Sequence, residues 1–348
     1  MFVRQEIARM SGYTPGEQPG ARKIIKLNTN ENPYPPSQTI APAVATAVQA
    51  GLQKYPDPHA TAFRACAGDV LGFDPEWILC GNGSDDILTI CTRAFVGSGE
   101  TIRFPHPSYL LYKILADIQG ACVETVDFNT DWTLPDKFAA PSEGLKLVFL
   151  PNPNSPSGTV LSPERIAELA RQLDCPLLVD EAYADFAEVN CLSLVREHPN
   201  VLVCRTLSKS YGLAGLRFGF LVAQPEVIAE LNKVKDSYNC DALSIAAATA
   251  AIHDQAWLQD NRRKITAGRD QLANGLRELG FNVPKSSANF VFAIHPTAKA
   301  KDLFDALKSQ GVLVRYMAYD RWPEGIRVSV GTPEQNELLL DMLRELTA

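Results

Sequence analysis

The chain of 348 residues carries 33 Lys and Arg against 40 Asp and Glu, and its formal net charge of −7 argues against nucleic acid or an anionic membrane as a partner. Hydrophobic residues make up 46% of the sequence and charged residues 21%, values typical of a globular protein whose length allows two domains. No apolar run reaches about 18 residues, so no transmembrane helix is predicted.

The eight cysteines are scattered without a CxxC pair, and several stand in apolar runs such as WILCG and VLVCR. This pattern favours buried thiols in a reducing compartment over a disulfide framework or a zinc site. The five histidines are equally dispersed, so we expect no metal site. The N-terminal stretch MFVRQEIARMSGYTPGEQPG lacks the apolar core of a signal peptide, which predicts a cytoplasmic protein.

Residues 1–40 are rich in Pro, Gly and Asn and are predicted to form an N-terminal arm that packs with a smaller C-terminal domain. Over residues 41–255 helical and strand patterns alternate. The helical patterns are IAPAVATAVQAGL, DDILTICTRAFV and PERIAELARQL, and the strand patterns are WILCG, TIRFP, LKLVFLPNP, CPLLVDEAY, NVLVCRTLS and RFGFLVA. Apolar strands separated by helices predict an α/β large domain with a mostly parallel sheet flanked by helices.

Residues 256–348 are predicted to form the smaller α+β domain. AWLQDNRRKITAGRDQLANGLREL, at 256–279, has the periodicity of a long amphipathic helix. After it come the strand patterns NFVFAI, VLVRY and IRVSV and the helical patterns AKDLFDALKSQ and PEQNELLLDMLREL.

Polar side chains follow several of the predicted strands at the point where each strand ends. Open α/β sheets bind ligands at the carboxyl ends of their strands, so these residues are candidates for one site. They are Gly83, Ser84 and Asp85 after WILC, Tyr109 after TIRFP, Asn154 and Ser155 after LKLVFL, Asp180 and Tyr183 after CPLLV, and Thr206, Ser208, Lys209 and Arg217 after VLVCR.

These side chains fit a ligand with four chemical features. A lysine of depressed pKa is a nucleophile for an aldehyde, and an aspartate that ends a buried strand suits a protonated ring nitrogen. A helix N-terminus, two hydroxyls and Arg217 suit a phosphate ester. Tyr109 can stack on an aromatic ring, and Tyr183 can hydrogen-bond to a ring oxygen. Aldehyde, pyridinium, ring oxygen and phosphate together describe pyridoxal 5′-phosphate.

TLSKSYGLAGLRFGF resembles the lysine segment of class II (fold type I) aminotransferases, VDEAYADF their aspartate strand, and PNPNSPSG their Asn-Pro-Thr-Gly loop. YTPGEQP, LNTNENP with KYPDP, and VLVR with IRVSVGT resemble the histidinol-phosphate aminotransferase branch of that family. The resemblance implies the fold type I architecture, pyridoxal phosphate as cofactor, an amino donor and a keto acceptor as small-molecule partners, and a homodimer.

The resemblance also implies a role for each matched residue. Lys209 bonds to the cofactor aldehyde and then carries a proton, Asp180 keeps the ring nitrogen protonated, and Tyr183 donates to the ring oxygen. The other implied cofactor contacts are stacking by Tyr109 and phosphate binding by Ser84, Asp85, Thr206, Ser208, Arg217 and, from the neighbouring subunit, Tyr55. The implied substrate contacts are Tyr13, Asn32, Arg315 and Arg327.

One departure from the family pattern bears on a cofactor contact. The family loop has Asn before the proline, where it hydrogen-bonds to the ring oxygen, but here Ser155 precedes Pro156 and the asparagine is Asn154. Either Ser155 takes the role or Asn154 reaches round to it.

Three functions stay open at this point. The first is an aminotransferase of histidine biosynthesis acting on histidinol phosphate and 2-oxoglutarate, with aromatic amino acids as the alternative substrates. The second is a pyridoxal phosphate-dependent lyase similar to threonine-phosphate decarboxylase, although YTPGEQP favours the first. The third is a non-catalytic nucleotide-binding module built on GNGSDD, which predicts no visible absorbance band and no need for Lys209.

Overall fold

A computed structural model describes residues 2–12, 16–18 and 24–348. The predicted substrate residue Tyr13 lies outside these described residues. The N-terminal part contains a short helix, α1 (Gln5–Arg9), and a short strand, β1 (Ile25–Lys26). None of the helices in the described ranges is both long enough and apolar enough to span a bilayer.

A seven-stranded sheet forms the centre of the larger part of the molecule. Its strands are β2 (Ile78–Gly81), β3 (Thr101–His106), β4 (Cys122–Asp127), β5 (Leu145–Pro151), β6 (Leu177–Asp180), β7 (Val201–Thr206) and β8 (Gly219–Val222). They lie in the order β2-β8-β7-β6-β5-β3-β4. The pairs from β7 to β4 are parallel, whereas β8 is antiparallel to both of its neighbours. The mostly parallel sheet predicted from the sequence is confirmed.

Helices cover both faces of this sheet. They are α2 (Ile40–Gln49), α3 (Thr61–Leu71), α4 (Ser84–Phe95), α5 (Leu111–Gln119), α6 (Pro163–Gln172), α7 (Leu194–Glu197), α8 (Pro225–Val234) and α9 (Ala242–His253), with 3₁₀ turns at Pro75–Trp77, Asp136–Ala139, Ala184–Phe186 and Ala214–Leu216. The sequence patterns identified α2, α4 and α6. They did not identify α3, α5, α8 and α9, nor the strand β4.

Alternate residues of each central strand face opposite helical layers, which buries the sheet on both sides. Leu177 and Val179 of β6 belong to one core cluster, and Leu178 between them belongs to the other. This alternation fixes the register of β6. Asp180, two residues after Leu178, therefore faces the layer that contains α4 and α5.

The C-terminal part contains a second, three-stranded sheet. Its elements in chain order are α10 (Gln255–Glu278), β9 (Phe290–Ala293), α11 (Ala300–Ser309), β10 (Val312–Leu313), β11 (Arg315–Met317), β12 (Gly325–Ser329) and α12 (Pro333–Thr347). The strands β11, β12 and β9 pair antiparallel in that order, while β10 pairs in parallel with β1. The domain boundaries predicted after residues 40 and 255 stay predictions.

Residues 24–38 connect the two sheets. The backbone N–H of Asn30 donates to Ser329 Oγ at 2.8 Å, and Asn289 Nδ2 donates to the Asn30 carbonyl oxygen at 2.9 Å. Asn30 has a φ of 55°, a left-handed conformation that asparagine tolerates better than most residues. The segment thereby closes one side of the space at the carboxyl ends of the parallel strands.

Candidate active site

A cavity lies at the carboxyl ends of the parallel strands, between the seven-stranded sheet, residues 24–38 and the three-stranded sheet. Neighbouring parallel strands end at the same edge, which brings their following residues together. Most of the residues predicted from the sequence line it: Ser84, Asp85, Tyr109, Ser155, Asp180, Tyr183, Thr206, Ser208, Lys209, Arg217, Arg315 and Arg327.

Lys209 follows β7 and reaches into the cavity, where its Nζ donates to the Thr29 carbonyl oxygen at 3.2 Å. Removal of the ammonium from water lowers the pKa of Lys209 to about 8, and the positive charge of Arg327 acts in the same direction. More of this amine is therefore uncharged near neutral pH than in an exposed lysine, and the uncharged form attacks aldehydes.

The backbone on either side of this amine is held by three side chains. Asn32 Nδ2 donates to the carbonyl oxygens of Lys209 and Ser210, both at 3.2 Å, and Asn261 Nδ2 donates to that of Ser210 at 2.9 Å. Ser210 Oγ donates to Asp185 Oδ2 at 2.5 Å. Asn32, predicted as a substrate contact, is not among the residues that line the cavity, and its contact with substrate stays a prediction.

Asp180 is the last residue of β6 and is only 6% exposed. Tyr112 donates its hydroxyl to Oδ2 at 2.8 Å, and the backbone N–H of Ala182 donates to Oδ1 at 3.1 Å. Burial raises the pKa of Asp180 to about 6 although both hydrogen bonds oppose that shift. A cation placed in the cavity beside this carboxylate, such as a protonated ring nitrogen, would favour its ionised form.

Tyr183 lies in the turn after β6, with its ring packed edge-on against Phe290 at a centroid distance of 5.0 Å. Asn30 Nδ2 donates to the Tyr183 hydroxyl at 2.9 Å. Burial raises the pKa of the Tyr183 phenol, so the hydroxyl keeps its proton and can donate it to a ring oxygen in the cavity.

The loop after β5 places Ser155, and not Asn154, on the cavity wall. Asn154 Nδ2 donates to Ser157 Oγ at 2.9 Å and to the Pro107 carbonyl oxygen at 3.3 Å, while its buried Oδ1 has no hydrogen-bond partner among the described residues. Ser155 Oγ accepts from Arg327 Nη1 at 2.9 Å. Of the two alternatives that the sequence left open, Ser155 is the one that lines the cavity.

An anion-binding arrangement forms where α4 begins. The backbone N–H groups of Ser84 and Asp85 belong to the first turn of the helix, where such groups have no partner within the helix. Thr206 Oγ1 donates to Ser208 Oγ at 3.0 Å, and Arg217 reaches Ser208 Oγ at 3.3 Å and Asp85 Oδ2 at 3.2 Å. Two hydroxyls, a guanidinium and a helix N-terminus thus converge, as a phosphate ester requires.

Glycine is required behind this arrangement at two positions. Gly83, which precedes α4, has a φ of 84°, and a Cβ there would lie 2.7 Å from Arg217 Nη2. A Cβ at Gly219 would lie 2.6 Å from the backbone N of Ser84. Gly83 does not line the cavity itself, but these two glycines let the helix start and Arg217 approach each other.

Arg315 and Arg327 are directly opposite each other across the antiparallel pair β11 and β12. Arg327 Nη1 donates to Ser155 Oγ and Nη2 donates to the Asn28 carbonyl oxygen at 3.2 Å, while its buried Nε has no hydrogen-bond partner among the described residues. Two neighbouring guanidinium groups repel each other, and an anion bound between them relieves that repulsion.

Tyr109 lines the cavity and donates its hydroxyl to Asp85 Oδ1 at 3.2 Å. Tyr55, predicted to act on a neighbouring subunit, lies away from this cavity. Tyr55 is 79% exposed, and its ring stacks on that of Tyr238 with the centroids 4.4 Å apart.

Thr29, Asn30 and Tyr112 are among the residues in and behind the cavity that were not predicted from the sequence. The Asn-rich stretch LNTNENP contains Thr29 and Asn30, but its turn-like composition does not indicate which of its residues face the site. No local signal distinguishes Tyr112 from an ordinary core tyrosine.

The sequence matches the protein family described as "Aminotransferase class I and II" over residues 22–343. It is 57% identical over 344 residues to a histidinol-phosphate aminotransferase of Rhodopirellula baltica, covering 99% of this chain and 95% of the relative. The corresponding enzyme of Syntrophotalea carbinolica is 48% identical over 345 residues, with 99% of both chains covered.

A similar solved structure is the histidinol-phosphate aminotransferase from Sinorhizobium meliloti in complex with pyridoxal-5′-phosphate. It has a TM-score of 0.89 and 25% identity, and the match covers 99% of this chain and 97% of that one.

Proposed function

The chain belongs to the class I and II aminotransferase family, and from this premise we propose that it converts histidinol phosphate and 2-oxoglutarate into imidazole acetol phosphate and glutamate, with pyridoxal phosphate as cofactor. One observation carries the choice of substrate. Arg315 and Arg327 face each other beside a cavity that contains Lys209, and a phosphate monoester of charge close to −2 suits two guanidinium groups better than a single carboxylate does.

Bound pyridoxal phosphate supplies an aldehyde that takes up the amino group and a ring that accepts an electron pair from the substrate Cα. The residues at the N-terminus of α4, the hydroxyls of Thr206 and Ser208, and Arg217 would hold its phosphate. Asp180 would hold a proton at the ring nitrogen, and Tyr183 with Ser155 would orient the ring oxygen.

Lys209 acts as nucleophile and as proton carrier in this proposal. Its Nζ would hold the cofactor through the aldehyde carbon and, once the substrate amine occupies that carbon, would be free to carry a proton from the substrate Cα. The lowered pKa supports both roles, since it gives the amine a larger uncharged fraction near neutral pH than an exposed lysine has. Arg327 and Arg315 hold the anionic end of each substrate so that its Cα lies near this amine.

The test is a donor and acceptor screen with the purified protein and added cofactor. We expect glutamate formation from histidinol phosphate and 2-oxoglutarate, with no release of carbon dioxide from threonine phosphate and slower turnover of phenylalanine or tyrosine. Lys209→Ala is the matched negative control. Faster turnover of an aromatic amino acid, or carbon dioxide release, contradicts the proposed substrate and identifies one of the two alternatives.

We further propose a homodimer in which Tyr55 reaches the phosphate bound by the partner. The stacked Tyr55 and Tyr238 are both exposed, as are Val48 and Leu52. An apolar groove between α2, α3 and α9 lies next to them, lined in part by Ala43, Pro56, Ala62, Ile245 and Ala246. A large exposed apolar area of this kind is typical of a subunit interface.

Hybrid dimers test this arrangement. We expect a mixture of an inactive Tyr55→Ala variant and an inactive Lys209→Ala variant to regain part of the activity, because one site in each hybrid has both residues intact. If subunit exchange is verified and the mixture stays inactive, Tyr55 does not act across subunits.

We also propose that the chain is divided into an arm (1–40), a cofactor-binding domain (41–255) and a smaller domain (256–348). A separate proposal is that the protein works in the cytoplasm. The division is supported by the origin of the two sheets, whose strands lie within residues 78–222 and 290–329. The location is supported by eight free cysteines, most of them buried, which suit a reducing compartment. Limited proteolysis tests the division into domains, and cell fractionation tests the location.

A further inference from the structure

Tyr112 lies on the first turn of α5 and its side chain is fully buried. Its hydroxyl donates to Asp180 Oδ2 at 2.8 Å, across a sequence separation of 68 residues. A buried phenol needs a hydrogen-bond partner, and a carboxylate is a strong acceptor. The bond therefore joins the helix layer directly to the carboxylate that faces the cavity.

The ring that carries this hydroxyl is fixed by aromatic contacts. Phe149 of β5 stacks on it at 4.7 Å with an interplanar angle of 16°, while Tyr109 packs edge-on at 5.6 Å and Phe104 lies tilted at 5.8 Å. A ring held in this way cannot swing its hydroxyl away without breaking core packing. The donor position is set by the fold before any ligand arrives.

The direction of the bond is equally fixed. Burial and the negative charge of Asp180 raise the pKa of Tyr112, so the phenol keeps its proton and donates. The second carboxylate oxygen accepts from the Ala182 backbone N–H, so the plane of the carboxylate is held at both oxygens.

We propose that Tyr112 is a positioning residue for the reaction, whose hydroxyl fixes the Asp180 carboxylate and keeps it ionised toward the ring nitrogen of the cofactor. The catalytic part of this inference rests on the proposed aminotransferase activity, but the link between the two side chains does not. Tyr112 does not itself line the cavity, so it acts through Asp180.

Other titratable groups also face Asp180 within the described part of the chain, and they must be considered in any titration. Asp85 and Glu181 raise its pKa by their negative charge. The neighbouring groups are Asp85 of α4, Glu181 and Tyr183 after β6, Cys204 of β7 and, across the cavity, Lys209.

Tyr112→Phe removes the hydroxyl and keeps the ring and its stacking. In the cofactor-free protein we expect this change to raise the pKa of Asp180 by about 1 to 2. The titration is followed by carbon NMR of labelled aspartate, and the Asp180 signal is assigned with Asp180→Asn. Tyr211→Phe is the matched control, because Tyr211 is also buried but its hydroxyl accepts from the neutral amide of Gln255. The control should leave the titration of Asp180 unchanged.

A second variant keeps the test decisive if Tyr112→Phe does not fold. Site-specific 3-fluorotyrosine at position 112 leaves the hydroxyl in place and makes it a stronger donor, so the Asp180 pKa should fall rather than rise. A rise of the Asp180 pKa in Tyr112→Phe, or a fall in the fluorotyrosine protein, supports the inference. An unchanged Asp180 pKa in a folded Tyr112→Phe or fluorotyrosine protein overturns it.

The effect on catalysis is measured with the cofactor-bound enzyme. In Tyr112→Phe we expect kcat for the donor half-reaction to fall about tenfold with little change in KM. We also expect the acidic limb of the pH profile of kcat to move to higher pH. A shifted Asp180 pKa with an unchanged rate overturns the positioning role. If the wild type itself shows no transamination, the proposed function fails, and the NMR titration still decides whether Tyr112 controls Asp180.

Discussion

The two ends of the cavity are built in opposite ways. At the ring end, defined by Asp180, Tyr112 and Tyr183, the carboxylate is only 6% exposed and is held by hydrogen bonds from the core. At the phosphate end, defined by Ser84, Asp85, Ser208 and Arg217, the ion pair between Arg217 and Asp85 is 45% exposed on both sides.

Burial decides what each end can do. Water screens the exposed pair, so it contributes little to stability and a ligand can rearrange it easily. The buried carboxylate has no such freedom, because moving it would leave polar groups unsatisfied in the core. We therefore expect changes at the ring end to lower the rate and changes at the phosphate end to lower the affinity for the cofactor.

The largest effect should come from Lys209, which lies between the two ends. Lys209→Ala should reduce turnover by on the order of 10⁴-fold or more, since it removes the amine proposed to act as both nucleophile and proton carrier. The cofactor should still bind through its phosphate. Turnover assays and equilibrium dialysis measure the two quantities, and more than a trace of activity without added amine contradicts the assignment.

Asp180→Asn should reduce the donor half-reaction on the order of 10³-fold while cofactor binding changes little. An uncharged amide no longer stabilises a protonated ring nitrogen. Single-turnover absorbance of the cofactor, recorded after mixing with glutamate, measures the rate. An unchanged rate means that Asp180 is not the partner of the ring nitrogen.

Arg217→Asn should show the reverse pattern, with a roughly 10- to 100-fold loss of cofactor affinity and a smaller loss of kcat at saturating cofactor. Asparagine is chosen because position 217 has a φ of 51°, which asparagine tolerates. Titration of the cofactor against absorbance gives the affinity. A loss of kcat with unchanged affinity would remove the distinction between the two ends.

Arg315→Ala should separate the two substrates. We expect kcat/KM for histidinol phosphate to fall about 30-fold more than kcat/KM for glutamate, which corresponds to about 2 kcal/mol of differential binding. Arg327→Ala is the comparison variant and should impair both substrates. Equal losses for both substrates in Arg315→Ala contradict the proposed recognition of a dianion.

The smallest effect concerns stability against pH in the cofactor-free protein. The folded pKa of Lys209 is about 8 and its unfolded value is about 10.4, so the cost of burying the ammonium is greatest below pH 8 and is relieved as the pH rises. Lys209→Met should therefore raise Tm by about 2 °C at pH 7 and by less at pH 9. Lys264→Met, on the exposed face of α10, is the control and should show no such trend.

The sequence predicted the larger sheet and the candidate residues at its edge because both leave local patterns. Buried parallel strands are apolar throughout, and the residue after each strand can be read directly, as with Asp180 after CPLLV and Lys209 after VLVCRTLS. The helices α3, α5, α8 and α9 were missed, although they complete the two layers.

The sequence by itself determined the fold class, the residue types at the strand ends and the resemblance that led to the family. Only the tertiary structure decided that Ser155 and not Asn154 reaches the cavity, that Arg315 lies opposite Arg327, and that Asn30 and Tyr112 support Tyr183 and Asp180. The reason is physical. A strand and its end depend on neighbouring residues, whereas a hydrogen bond between Asn30 and Tyr183 spans 153 positions and forms only when packing brings the two side chains together.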